Sequence, residues 1–272
     1  MPARYSVIIP TLNEEKFLPK LLASLAAQTD KNFEVIVVDG SSKDKTVAIA
    51  NSYTKKLPKL QVIISKKASL PLQRNLGAKA ARGEWFIFVD ADSILMPYFI
   101  ERIEEYIEKY TPQLFTTWFR PDSEISGDAM LTLLANISSE GSLIIKRQHA
   151  PGPLTIVTKK AFDSVNGYDE NRTYLEDYDL SWRLSKKGCR MQILRETVCV
   201  WSLRRLRNKG NLRFAQMYAQ SVFSVLINKP FKNMPGYVMG GHLYDKKKKS
   251  AGRKALQKFE RNLKKLLNDI FE

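Results

Sequence analysis

Three stretches of the chain set carboxylates where they could do chemistry. Asp90 and Asp92 lie in "FVDADS", directly after an apolar run; Asp39 closes a second such run in "VVDGSSKDKT"; Glu176 and Asp177 are neighbours in "YLEDYDLSWRL". Side chains two apart on an extended chain share a side, so Asp90 and Asp92 repel one another unless something positive sits between them. A hard divalent ion meets that demand, since Mg²⁺ takes one or two carboxylates and completes its shell with phosphate oxygens. Each motif alone also has a plainer reading. Asp39-Gly40 fits a turn, with Gly40 giving the sharp bend and Ser41 or Ser42 capping the next helix. A lone DxD is commonly loop, and acids in a helix's first turn are favoured by its dipole. What weighs toward chemistry is that the first two motifs fall at the ends of predicted strands.

Those strands are short, nearly all-apolar runs at Tyr5–Pro10, Phe33–Val38, Leu60–Ile64 and Trp85–Val89, as expected of strands covered on both faces. Between them apolar residues recur at helical steps, first Leu18, Leu21, Leu22, Leu25 and Ala26, then Val47, Ala50 and Tyr53. A third helix is predicted to open at Ser69, with Pro71 in its first turn, and to stop at Gly83. Strands spaced by helices argue for right-handed βαβ units and a mostly parallel sheet. In such sheets ligands bind beyond the carboxyl ends of the strands, and the segments found there, "PTLNEE", "DGSSKD" and "DADS", are all polar. G-x-G-x-x-G is missing after the first strand and G-K-[ST] is missing altogether, so the dinucleotide and P-loop fingerprints do not apply. Further on, "PGPLTIVTKKAF" (Pro151–Phe162) reads as a tight backbone, a strand and a helix start. Glu176-Asp177 open a helix that packs through Leu180, Trp182 and Leu184 and stops at Gly188.

The 272 residues are 44% apolar and 26% charged, the composition of a soluble globular protein with a sizeable core. Cys189 and Cys199 lack metal or redox spacing and are expected to be buried thiols of a reducing compartment. "YSVIIP" is too short for a signal sequence, and no window reaches the roughly 18 apolar residues of a spanning helix. The expected location is cytoplasmic, with peripheral attachment to the inner face of the membrane as a variant. The net charge is +16, and Lys246–Glu272 alone holds ten Lys and Arg against three Asp and Glu. Such an excess suits nucleic acid, an anionic membrane surface or a phosphorylated substrate. Nucleic acid is disfavoured, because the acidic strand tips would repel its phosphates.

Taken together, "VIIPTLNEE", "VVDGSSKDKT", "QRNLGAKAARGEWFIFVDADS", "GYDE" and "LEDYDLSWRL" resemble the family-2 glycosyltransferases over roughly Tyr5 to Trp201. The resemblance implies the GT-A fold, a Rossmann-like, mostly parallel sheet flanked by helices, here with a helical basic C-terminal extension. It implies an inverting enzyme that moves a sugar from a UDP- or GDP-sugar to an acceptor hydroxyl in cell-surface glycan or glycolipid synthesis. Pro10, Thr11, Glu14 and Asp39 would surround the nucleoside, Arg74 would lie near the donor, and Asp90, Ala91 and Asp92 would contact ribose, sugar and metal. Asp92 is the stronger ligand for Mn²⁺ or Mg²⁺, with Asp90 the second. Asp177 would be the general base and Glu176 the weaker choice. His149, Gly152, Trp201 and Arg205 would border the acceptor, a sugar or a lipid-linked molecule.

One departure stands out: where some GT-A enzymes carry a metal-binding histidine, "VWSLRRLR" places Ser202. Arg204, Arg205 and Arg207 could then help with phosphates, or form a solvated basic loop. His242 is expected to be structural or on the surface. The expected division is a catalytic domain over 1–205, with a nucleotide half (1–92) and an acceptor half (93–205), and an extension over 206–272. That extension reads as an apolar helix over Asn211–Phe231 and a tail helix with Leu256, Phe259, Leu263, Leu266 and Ile270 on one stripe. The tail could dock on the fold, on a second subunit or on an anionic membrane. The absence of a Q-x-x-R-W motif and of membrane helices points to a non-processive enzyme. The rivals are a nucleotidyltransferase, which should carry a basic glycine-rich loop where "PTLNEE" stands, and a non-catalytic nucleotide-sugar-binding protein.

Overall fold

The computed structural model describes residues 3–57 and 59–209 and, beyond them, residues 220, 231 and 243. Its first half alternates as the pattern predicts: β1 (Tyr5–Thr11), α1 (Leu18–Ala26), β2 (Phe33–Asp39), α2 (Thr46–Ser52), β3 (Leu60–Ile64), α3 (Leu70–Ala80) and β4 (Trp85–Val89). β1 lies between β2 and β4, parallel to both, and β3 adds in parallel beyond β2. Every residue of β1 and of β4 is buried. The period of two sends Tyr5, Val7 and Ile9 into a core shared with Leu18, Leu21 and Leu25 of α1. Ile8 goes to the opposite face, among Phe86, Phe88, Phe162 and Leu180. α3 lies so near the sheet that a Cβ at Gly77 would stand 2.4 Å from Ile8 Cγ2, and this approach delivers Gln73 and Arg74 to the strand tips. Ser69 occupies the α3 cap position without a capping bond, and the helix ends at Ala80, short of the expected Gly83. Gly83 serves instead as a close-approach residue, where a Cβ would meet Ser6 Oγ at 2.7 Å.

The second half adds β5 (Ile94–Leu95), α4 (Phe99–Tyr110), β6 (Leu114–Pro121), α5 (Ser126–Ile144), β7 (Leu154–Thr158), α6 (Lys159–Ser164), α7 (Glu176–Lys186), β8 (Met191–Trp201) and α8 (Arg204–Lys209). One eight-stranded sheet results, in the order β3-β2-β1-β4-β7-β6-β8-β5. The sheet is mixed: β7 runs antiparallel to β4 and β6, while β8 is parallel to β6. The reversal matters for the site. Val89 pairs with Leu154, so the loop entering β7 begins beside Asp90, whose N–H donates to the Pro153 carbonyl at 3.2 Å. Cys189 and Cys199 are buried and unbridged. No helix among the described residues is long and apolar enough to cross a membrane. The helices expected over Asn211–Phe231 and in the tail, and His242, lie outside the described residues, apart from isolated points such as the Phe231 carbonyl, which accepts from Arg172 Nη1 at 3.3 Å.

Candidate active site

The β1 and β2 tips end in register, Thr11 opposite Asp39. Asp39, 1% exposed, accepts from Thr11 Oγ1 at 2.9 Å, from Ser42 Oγ at 2.5 Å and from the Ser42 N–H at 2.8 Å. The bend therefore works differently from the sequence expectation. Gly40 is not the left-handed residue; Ser41 is, at φ 63°. Gly40 is needed for space, since a Cβ there would lie 3.1 Å from Gln73 Oε1 and 3.2 Å from Ala68 Cα. Neither serine caps α2. Ser42 turns back to Asp39, and Asp44 accepts from Thr46 N and Oγ1 at 3.0 and 2.5 Å. Gln73, which the sequence did not single out, closes the corner by donating to the Thr11 and Val38 carbonyls at 2.8 and 2.7 Å. Pro10 is buried in β1. The corner is a rigid, hydrogen-bonded cup with a carboxylate at its floor.

Across the sheet edge lies a charged centre. Arg74 is 1% exposed, so it acts beneath the surface. It donates to Asp90 Oδ1 at 3.1 Å, to the Gly152 carbonyl at 3.0 Å and to Glu176 Oε1 at 3.2 Å. Its guanidinium also sits over the Tyr168 ring, 5.2 Å from the centroid. Burial pushes the Asp90 carboxyl up to about 6 against the pull of Arg74. Burial, with Asp177 adding repulsion, pushes Glu176 up to about 7. Asp177 goes the other way: burial favours its neutral form, but His149 and Arg74 together hold it below the usual carboxylate range. His149 Nε2 stands 3.2 Å from Asp177 Oδ2, and Oδ1 accepts the Tyr178 N–H at 2.8 Å. A Cβ at Gly152 would come within 3.1 Å of Asp177 Oδ2, so this glycine leaves room for the carboxylate. Two neighbouring acids are thus driven apart, one toward neutrality and one toward ionisation.

Asp92 faces neither of these groups. Arg204, at the start of α8, donates through Nε to Asp92 Oδ2 at 2.8 Å and through Nη2 to Glu14 Oε1 at 2.7 Å. Its guanidinium lies 4.1 Å above the Phe17 ring. The positive charge demanded by the DxD pair is therefore supplied here by Arg74 and Arg204, and the basic stretch is no solvated loop: Arg207 pairs with Asp122 and Asp128. Arg205 is close enough for its charge to oppose the upward shift of Asp90. The Ser202 hydroxyl, where a histidine was sought, is buried with no hydrogen-bond partner among the described residues. Ala91 is 4% exposed, so its side chain belongs to the core. The Trp201 ring lies 6.2 Å from that of Phe119.

A divalent ion fits this edge only in part. Among the described residues no group of three or more His, Cys, Asp or Glu is arranged to hold a metal. Asp90 and Asp92 offer hard oxygens, so an ion here must draw its other ligands from a bound diphosphate and water, and Asp92 must first release Arg204.

The model of glycosyl transferase family 2 matches residues 6–163. An uncharacterized glycosyltransferase of Haemophilus influenzae is 28% identical over 183 residues, 66% of this chain and 61% of that protein. Staphylococcus aureus TarS 1–349 in complex with UDP-GlcNAc superposes with a TM-score of 0.59 at 23% identity, over 73% of this chain and 58% of that one. The mannosyltransferase PcManGT from Pyrobaculum calidifontis, in complex with GDP-Man and Mn²⁺, gives 0.62 at 18% identity, over 82% and 65%. The match to each spans about 58–65% of the other protein's length, and at these identities the two structural likenesses speak for the fold.

Proposed function

The chain belongs to glycosyl transferase family 2 and has the family's mixed α/β GT-A fold, and on that premise we propose that it transfers one sugar from a nucleoside diphosphate donor to an acceptor hydroxyl with inversion. The observation that carries this reading is the geometry at the strand tips, where Arg74 ties Asp90, the Gly152 carbonyl and Glu176 together beside an Asp177 carboxylate that His149 contacts at 3.2 Å. An ionised Asp177 stands at the same sheet edge as a buried, hydrogen-bonded Asp39 and the Asp90/Asp92 pair. The nucleoside enters the corner of Thr11, Glu14 and Asp39, where Asp39 keeps a lone pair for a base N–H beyond the three bonds it already accepts. Residues 1–92 thus form the donor half and 93–205 the acceptor half. The UDP and GDP sugars of the structural neighbours make both bases reasonable first choices.

Asp177 takes the proton of the acceptor hydroxyl as that oxygen forms its bond to the anomeric carbon. On the opposite face the bond from that carbon to the diphosphate oxygen breaks, and its electron pair leaves with the nucleoside diphosphate. A single displacement inverts configuration. Glu176 is the weaker choice for that role, because its carboxylate is committed to the buried Arg74 guanidinium at 3.2 Å. Mn²⁺ or Mg²⁺ held by Asp92, with Asp90 second, would neutralise charge on the departing diphosphate. Arg204, once off Asp92, and Arg205 are placed to share that charge. A cell-envelope glycan or lipid-linked acceptor, met by a protein peripheral to the membrane, completes the reading. The test is a panel of UDP- and GDP-sugars with Mn²⁺ or Mg²⁺, read by thermal stabilisation and donor hydrolysis. One donor should stabilise the protein in a metal-enhanced way, and no response to any donor would refute the assignment.

A further inference from the structure

We propose that the outward face of α5 docks on an anionic phospholipid bilayer. A surface helix ordinarily turns its apolar stripe inward; α5 does the reverse. Its buried line is Asp128, Thr132, Asn136 and Ser139. Asn136 bonds both the N–H and the carbonyl of Phe119 at 3.0 Å. The Thr132 and Ser139 hydroxyls donate to carbonyls one turn back, and Asp128 accepts from Ser123 Oγ and Arg207 Nε. With the polar side taken up by the fold, the aliphatic side is left outside. Leu133, Leu134 and Ile137 are 49–53% exposed, Ile144 is 82% exposed, and Ile125 and Ile145 flank them at 48% and 52%. Leu133, Leu134, Ile137 and Ile144 fall on one side of the helix at its period, so they form a stripe rather than a scatter.

Composition and shape favour lipid over protein as the occupant. Protein interfaces draw their energy from Trp, Tyr and Arg, with Leu under-represented, whereas this stripe is wholly aliphatic. It is the convex side of a single helix, about 28 Å long at ~1.5 Å per residue, which suits a helix lying at the headgroup boundary. The charge agrees. The chain carries +16, exposed Lys146 follows the stripe, and the helix's own acids, Asp128 and Glu140, are paired with Arg207 and Arg195. The exposed Glu124 lies before the helix begins. Three residues beyond Lys146 stands His149, in contact with Asp177. Docking is independent of the transferase reading; its consequence, presentation of an acceptor hydroxyl from the membrane, rests on that reading.

The test is flotation of the full chain with neutral phosphatidylcholine vesicles and with vesicles containing phosphatidylglycerol, at low and physiological salt. Leu134→Glu/Ile137→Glu is compared with Ile64→Glu, an aliphatic residue of similar exposure, 54%, on β3. Wild type and Ile64→Glu should float with the anionic vesicles, and the double variant should partition about tenfold less, with Tm and sedimentation unchanged. Equal flotation of the double variant overturns the proposal, as does binding that ignores vesicle charge. A lowered Tm also overturns it, by showing that the chain's own residues cover the face. So does a wild-type dimer that the variant dissociates. Failure of the transferase reading is seen separately, as absence of nucleotide-sugar binding, and leaves the flotation result standing.

Discussion

The corner proposed for the donor and the edge proposed for the acceptor are built from different interactions. At the corner, Asp39 is held by hydroxyls and a backbone N–H, and Gln73 ties the strand tips together. Every partner that Asp39 has there is neutral, so its position is fixed by hydroxyls and backbone of the fold. At the acceptor edge the groups are ions in a low-dielectric recess: Arg74 between Asp90 and Glu176, and His149 against Asp177. Their positions and their protonation states depend on one another. A binding cup can be preset by neutral bonds, whereas a base that must gain a proton has to be built among charges that keep it ionised beforehand.

Breaking the charged edge should have the largest effect. Arg74→Met leaves Asp90 and Glu176 without their cation, and losing one partner of a buried ion pair costs about 3–5 kcal/mol. Urea unfolding should show a loss of that order; a change under 1 kcal/mol would mean the carboxylates find other partners. Next comes the corner. Asp39→Asn replaces one of two accepting oxygens with a donor and removes the carboxylate charge, and donor affinity should fall about tenfold or more in a calorimetric titration. An unchanged affinity would remove Asp39 from the donor site.

Glu176 gives a smaller, pH-dependent signal. Its folded-state value of about 7 lies above the ordinary 4.5, so the folded form binds the extra proton between them and this group's contribution to stability falls as pH rises through that window. Glu176→Gln should flatten the wild-type decline in unfolding free energy, and an unchanged slope would contradict the assignment. The smallest effect is expected for His149→Gln. It removes a neighbour that holds Asp177 low, so the acid limb of kcat should move to higher pH with the plateau nearly preserved; an unmoved limb with a lower plateau would make His149 a purely structural contact.

Much of the first half of the fold was legible in the sequence. The strands at Tyr5, Phe33, Leu60 and Trp85 begin where the nearly all-apolar runs begin; β1 and β4 are covered on both faces as expected, whereas β3, at the edge of the sheet, has no buried residue. Asp39 and the DxD pair were found because strand tips are where such sheets place polar residues. Gln73 was not, since a buried glutamine serving carbonyls 62 and 35 residues away leaves no local trace. Arg204 could be named as a basic residue, but its pairing with Glu14 across 190 residues could not. The outward aliphatic face of α5 was equally hidden: periodicity gives a helix its stripe but does not say which side the fold will use, and here Asn136 and Asp128 claimed the inside. The serines after Gly40 misled because Ser42 gives its hydroxyl to Asp39 and Ser41 gives its own to the Ser65 carbonyl.

The most direct test of the central assignment pairs two readings on one variant, Asp177→Asn. The substitution keeps shape and hydrogen-bonding reach but removes the proton acceptor. Calorimetric titration with the donor found in the nucleotide-sugar panel should give an affinity within about twofold of wild type, while kcat for transfer falls by about 10² or more. Loss of donor affinity in step with turnover, or transfer that proceeds at the wild-type rate, would contradict the role of Asp177 as the base.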